Sequence, residues 1–156
     1  MYVSILDVSF AHSGGCIAVS DFSKKTNKLN KVLHNCLLHE SIDEKFIEET
    51  GKKGKLLVQK NNIIKSFVSK GKDTYCKFYQ LNNKLRTELM KLDGATVLTP
   101  SGDIKAVGAI LSVKSGSEGG GRLAATKELS NYGIAIKISE DGEITGYRKK
   151  KKIFHF

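Results

Sequence analysis

Cysteine is scarce in this chain of 156 residues: Cys16, Cys36 and Cys76 lie far apart and are odd in number. That argues against a disulfide framework, and no Cys-x-x-Cys pair marks a zinc site. Long apolar runs are missing too, since none approaches the roughly 18 residues that span a bilayer. The opening "MYVSILDVSF" is too short for a secretory leader and carries Asp7. There is no internal repeat, and His12, His34, His39 and His155 show no metal-ligand spacing. The expectation is a cytoplasmic protein with no membrane partner.

Acidic residues are also in short supply, 16 against 26 Lys and Arg, for a formal net charge of +10. Five of those positive charges are consecutive, Arg148 to Lys152 in "YRKKKKIFHF", leaving +5 for the rest. A terminal run of this kind reads as a solvated tail or the start of a linker. Aromatic residues do not interleave with the basic ones as stacking platforms would, which disfavours a specific nucleic-acid reader. Electrostatic contact with phosphates, without sequence preference, stays open.

What is present fits one α/β domain over residues 1–147, followed by the basic tail 148–156. "GGCIAVSDF" reads as a first strand, "KKTNKLNK" as a polar turn, and Val32 to Leu38 as an extended segment. Ser41 with Glu44 forms a capping box opening a short helix, for which Gly51 supplies the C-terminal cap. "KLLVQKNNIIKSFVSKG" suits either element, and we read a helix through Ile63 to Val68 after an extended piece. Leu81, Leu85 and Leu89 recur at steps of four, the period of an amphipathic helix ending before Asp93. "GATVLTPSGDIKAVGAILSV" is a hairpin turning at "PSGD". A glycine loop "SGSEGGG", a helix "RLAATKELSNY", a strand "GIAIKIS", a turn "EDGE" and a strand "ITGY" follow. The expected architecture is a mixed central β-sheet with flanking helices and loops clustered at one end.

Three stretches carry chemistry. Asp93 in "LDGA" leaves a helix and enters a strand, where a carboxylate could hold a divalent cation. The alternative is a turn in which it bonds backbone amides. Gly119, Gly120 and Gly121 precede a helix and let backbone N–H groups approach an anion, with Arg122 placed for a bidentate phosphate contact. Neither a Walker loop nor a GxGxxG fingerprint is matched, so a plain hairpin-to-helix loop is the competing reading. Glu140 in "SEDGE" supplies a second carboxylate or simply an acidic β-turn.

The order of these stretches resembles the diadenylate cyclase domain over residues 89–147. That family has an Asp-Gly-Ala motif entering a hairpin, an Arg-His-Arg-Ala-Ala motif opening a helix, and a strand ending in Ser-Glu-Glu. "AHSGGCIAV" is similar to a His-Gly-Gly strand start of related domains. Asp93, Gly94 and Ala95 match the first motif. Asp93 would be a metal ligand, catalytic if the domain is active, with Gly94 and Ala95 at the nucleotide. Ser139 and Glu140 match the third motif, Asp141 replacing its last glutamate, and Glu140 would be a second ligand for Mg or Mn.

The middle motif departs, because Gly121, Arg122 and Leu123 stand where the family has Arg-His-Arg. Losing one charge-assisted clamp costs about 1.5–3 kcal/mol, and Lys127 could compensate only in part. The resemblance therefore implies a catalytically degenerate sensor that binds ATP or a cyclic (di)nucleotide. A fused or partner effector and a head-to-head homo-oligomer go with it. An active cyclase condensing two ATP into cyclic di-AMP, a non-specific nucleic-acid binder and a plain interaction domain are the alternatives.

Overall fold

The computed structural model describes residues 2–21, 29, 32–33, 52–71, 74–111 and 120–156. In chain order they form helix α1 (Tyr2–Phe10), strand β1 (Gly15–Ser20), helix α2 (Lys52–Val68) and a short ribbon of β2 (Ser69–Gly71) and β3 (Thr74–Tyr75). A 3-10 turn (Phe78–Gln80), helix α3 (Asn83–Lys91) and the strands β4 (Ala95–Leu98) and β5 (Ile104–Ala109) come next. Helix α4 (Gly120–Leu129) leads to β6 (Gly133–Ile138), β7 (Ile144–Arg148) and β8 (Lys151–His155).

Six strands make one mixed sheet in the order β5-β4-β1-β6-β7-β8. β1 and β4 run parallel, with Ile17 beside Thr96, and the other neighbours in this sheet are antiparallel. A parallel pair needs a crossover, and the chain between β1 and β4 contains α2 and α3. The fold class is the mixed α/β domain expected.

The pleat of β1 and β4 sorts side chains to two unlike faces. Ile17 and Leu98 join Ile5, Val8, Phe78, Leu89 and Met90 in a core of large residues under α1 and α3. Cys16, Ala18, Ala95 and Val97 join Ala106, Ala109, Ala125 and Leu129 on the other face, under α4. Small residues on both surfaces let α4 settle close to the sheet.

Several local expectations change. α2 is continuous from Lys52 to Val68, so the extended piece before Ile63 is not found. Ile64 and Val68 are buried while Ile63 and Phe67 are exposed, a helical stripe rather than strand alternation. Val32 and Leu33 are helical rather than extended. The remainder of that segment, the Ser41–Gly51 helix and most of the glycine loop, including Gly119, lie outside the described residues. α1 had no counterpart in the sequence reading; its apolar, β-branched run is helical because Ile5 and Val8 pack into the core one turn apart. Residues 148–156, expected as a tail, include the edge strand β8, whose Lys151 pairs with Arg148.

The β4–β5 hairpin is tied at its turn. Thr99 N–H donates to the Asp103 carbonyl, and Asp103 N–H to Thr99 Oγ1, each at 2.9 Å. Hydroxyl bonds from Ser101 and Thr99 hold the Asp103 carboxyl below its usual range.

Candidate functional site

The register of the strands brings distant segments to one end of the sheet. Gly15 stands beside Ile138 and Ala95 beside Ala109. The starts of β1 and β4, the ends of β5 and β6 and the N-terminus of α4 therefore lie together. Two clefts open there. The first, about 430 Å³, lies between α4 and the β4–β5 pair and is lined by Cys16, Asp93, Gly94, Ile110, Leu111 and Arg122, among others. The second, about 470 Å³, lies between α4 and the β6–β7 turn and is lined by Gly120, Arg122, Lys137, Ser139 and Glu140, among others. Gly121 and Arg122 line both.

Arg122 is the hinge of this arrangement. Its Nη1 donates to Glu140 Oε1 at 2.7 Å. The pair lies over Gly14, which takes φ +64°, and a Cβ there would stand 2.8 Å from Arg122 Nη1 and 3.2 Å from Glu140 Cγ. Glycine is the residue that tolerates both the conformation and the approach. His12 Nδ1 lies 3.1 Å from the Glu140 carbonyl. A carbonyl only accepts, so Nδ1 carries the proton in this contact. Lys137 Nζ donates to Ser139 Oγ.

Beneath Arg122, Thr126 Oγ1 donates to the Arg122 carbonyl at 2.7 Å. Its single proton is thereby used, so the Cys16 thiol, 3.2 Å away, is the donor to Thr126 Oγ1. Burial pushes the Cys16 thiol up to about 11, against a smaller lowering effect from the Arg122 charge. Cys16 is a neutral structural donor under the cleft, not a thiolate nucleophile.

The Asp93 turn is held from below. Lys60 Nζ, from α2, donates to the Asp93 carbonyl at 2.9 Å and to the Gly108 carbonyl at 2.6 Å. Gly94 takes φ +102°, and a Cβ on it would come within 2.4 Å of the Gly108 carbonyl carbon. The Asp93 carboxylate is left on an exposed residue at the cleft rim.

No protein-family model matches the sequence, and none of the curated proteins compared with it is similar. Solved structures do match. A hypothetical membrane spanning protein from Bacillus cereus superposes with a TM-score of 0.52 at 15% identity over 97% of this chain. The two share a fold. This chain spans 59% of the Bacillus cereus chain. A double mutant of DacA from Staphylococcus aureus matches at TM-score 0.44 and 18% identity, over 97% of this chain and 85% of its own. Among the described residues no helix is long and apolar enough to cross a membrane.

The residues singled out in the sequence divide on this geometry. Asp93, Gly94, Gly121 and Arg122 line the first cleft, and Gly120, Gly121, Arg122, Ser139 and Glu140 the second. Ala95 is buried in the small-residue core. Lys127, five residues along α4 from Arg122, lines neither cleft. Asp93 and Glu140 line different clefts, and among the described residues no group of three or more His, Cys, Asp or Glu is placed to hold a metal ion. Lys60, Lys137, Cys16 and Thr126 were missed. Lys137 was legible in principle, as the polar residue near the end of "GIAIKI" on the way to Ser139. Nothing local in the sequence marks Lys60, whose partners lie 33 and 48 residues away.

Proposed function

We propose that the chain binds a nucleotide or cyclic nucleotide where Asp93, Arg122 and Ser139–Glu140 converge, as a catalytically degenerate sensor similar to the diadenylate cyclase domain. The observation that carries this reading is the double role of Arg122: it lines both clefts, and each cleft is built on one of the flanking motifs. Phosphates take the planar Arg122 guanidinium and the positive end of α4. Ile110, Leu111 and Ala125 give the first cleft an apolar wall suited to a base.

Catalysis by such a domain rests on positioning and neutralising phosphates. Among the described residues lining the two clefts, the cations are Arg122 and Lys137. Lys137 is engaged with Ser139 and Arg122 with Glu140. That is a thin charge complement for two triphosphates, and it supports binding without turnover.

Asp93 fits a Mg or Mn ion that arrives with the nucleotide, because such ions need one or two carboxylates and otherwise use phosphates and water. Glu140 fits less well while its carboxylate accepts from Arg122. Bound there, the ion would screen phosphate charge; the chain's own part is to hold the phosphates with Arg122 and the base in the first cleft.

The test is incubation of the full chain with ATP and Mg or Mn, with products read by mass spectrometry and the same mixtures followed by thermal shift across nucleotides. The expected result is no cyclic dinucleotide and a ligand-dependent rise in Tm. Cyclic di-AMP above background overturns the sensor reading in favour of an active cyclase. No shift with any nucleotide overturns the site.

A further inference from the structure

The β7–β8 hairpin carries a feature that the nucleotide site does not use. Arg148 pairs with Lys151, so Lys149 and Lys150 are the two residues of its turn. Both are left-handed, with φ of 50° and 63°, as a type I′ turn requires. That conformation is disfavoured for any side chain with a Cβ, and Asn-Gly adopts it with little strain. The lysines are instead forced into it from outside: Lys149 N–H donates to the Ser130 carbonyl at 2.7 Å and Lys150 N–H to Ser130 Oγ at 2.8 Å.

The result is five consecutive basic residues on one hairpin tip, all exposed. Among the described residues only Lys150 has an acidic partner, Glu128 at 3.4 Å. Protection of an exposed sheet edge accounts for Lys151 and Lys152 on β8. It does not account for lysines in a turn where they are strained. Strain kept at a surface tip points to a use for the side chains there.

We propose that this hairpin tip is a docking surface for the phosphate backbone of a nucleic acid, bound through charge and without base readout. The tip offers cations alone, which suits phosphates. A membrane surface fits less well, because the exposed apolar residues Ile153, on β8, and Phe156, just past its end, stand back from the turn, Phe156 by roughly 17 Å at about 3.3 Å per residue.

The full chain is titrated with a fluorescent 30-base-pair DNA duplex between 50 and 200 mM salt. Three or four phosphate contacts give a slope of log K against log salt of about −3 to −4. Replacing the turn by Lys149→Asn with Lys150→Gly relieves the strain, so Tm holds or rises. Binding weakens at least fivefold at low salt, and the slope becomes shallower by about two. Lys84→Gln with Lys91→Gln on α3 removes the same charge elsewhere and leaves the slope in place. Equal effects of the two double variants would mean that net charge, not the hairpin, binds, and would overturn the proposal. So would a wild-type chain that ignores the duplex, or one that prefers phosphatidylserine vesicles at the same salt.

Discussion

Arg122 Nη1 stands 2.7 Å from Glu140 Oε1 where the two clefts meet. The side chains are 32% and 70% exposed, and ion pairs in that setting contribute about 0–1 kcal/mol. A charge-assisted bond from Arg122 to a phosphate is worth about 1.5–3 kcal/mol. A bound phosphate is therefore expected to take Arg122 from Glu140. Arg122→Ala should weaken ATP binding at least tenfold, about 1.4 kcal/mol, by titration calorimetry. Glu140→Gln should tighten it severalfold in EDTA, because the competitor for the guanidinium has lost its charge. Weaker binding of Glu140→Gln confined to samples with Mg would make Glu140 a metal ligand instead.

Gly94 and Gly108 face each other across the β4–β5 pair, both at positive φ. A Cβ at position 94 would stand 2.4 Å from the Gly108 carbonyl carbon and 2.6 Å from its oxygen, and backbone cannot move aside as a flexible side chain can. Gly94→Ala should cost more than about 2 kcal/mol, combining the left-handed penalty with overpacking. Urea denaturation checks this, and a loss below about 0.5 kcal/mol would mean that the two strands do not approach as closely as placed.

Lys60 bridges the Asp93 and Gly108 carbonyls and so fixes the turn that presents Asp93. Lys60→Met keeps most of the apolar stem and removes both bonds. The expected loss is about 1–3 kcal/mol of stability, together with weaker Mg-dependent nucleotide binding. Lys60→Arg should restore part of each. If Lys60→Met lowers stability while Mg-dependent affinity is unchanged, the lysine supports the fold and not the position of Asp93.

The parts of this molecule read from sequence are those with local periodicity or turn chemistry. Leu81, Leu85 and Leu89 announce α3, and "PSGD" and "EDGE" announce the hairpins, because each signal is contained within a few residues. The convergence of Asp93, Arg122 and Glu140 at one end of the sheet was legible only through the order of the motifs. Lys60 and the Cys16–Thr126–Arg122 chain were not legible, since each depends on partners more than 30 residues away that the sheet brings together. The helix read over Ile63 to Val68 is found, but it begins at Lys52, because Leu56, Leu57 and Val58 fit either period and read as an extended piece. The lysine run read as a tail because charge masks the strand pairing of Lys151 and Lys152 with β7.

Cys16 gives a prediction in pH. Burial raises its thiol from 9.0 to about 11, outweighing the Arg122 charge. The folded chain then holds the thiol proton more tightly than the unfolded chain does. The corresponding stability is complete below pH 9 and is lost as pH rises from 9 to 11, by about 2–3 kcal/mol at 1.36 kcal/mol per unit. Tyrosines and lysines titrate in the same window, so the quantity to measure is the difference between wild type and Cys16→Ala in urea at each pH. That difference should be constant from pH 7 to 8.5 and then shift against the wild type toward pH 11, because alanine has no proton to lose. A difference that stays flat to pH 11 would mean that Cys16 titrates as it does in the unfolded chain, and that its Sγ does not sit dry beneath Thr126.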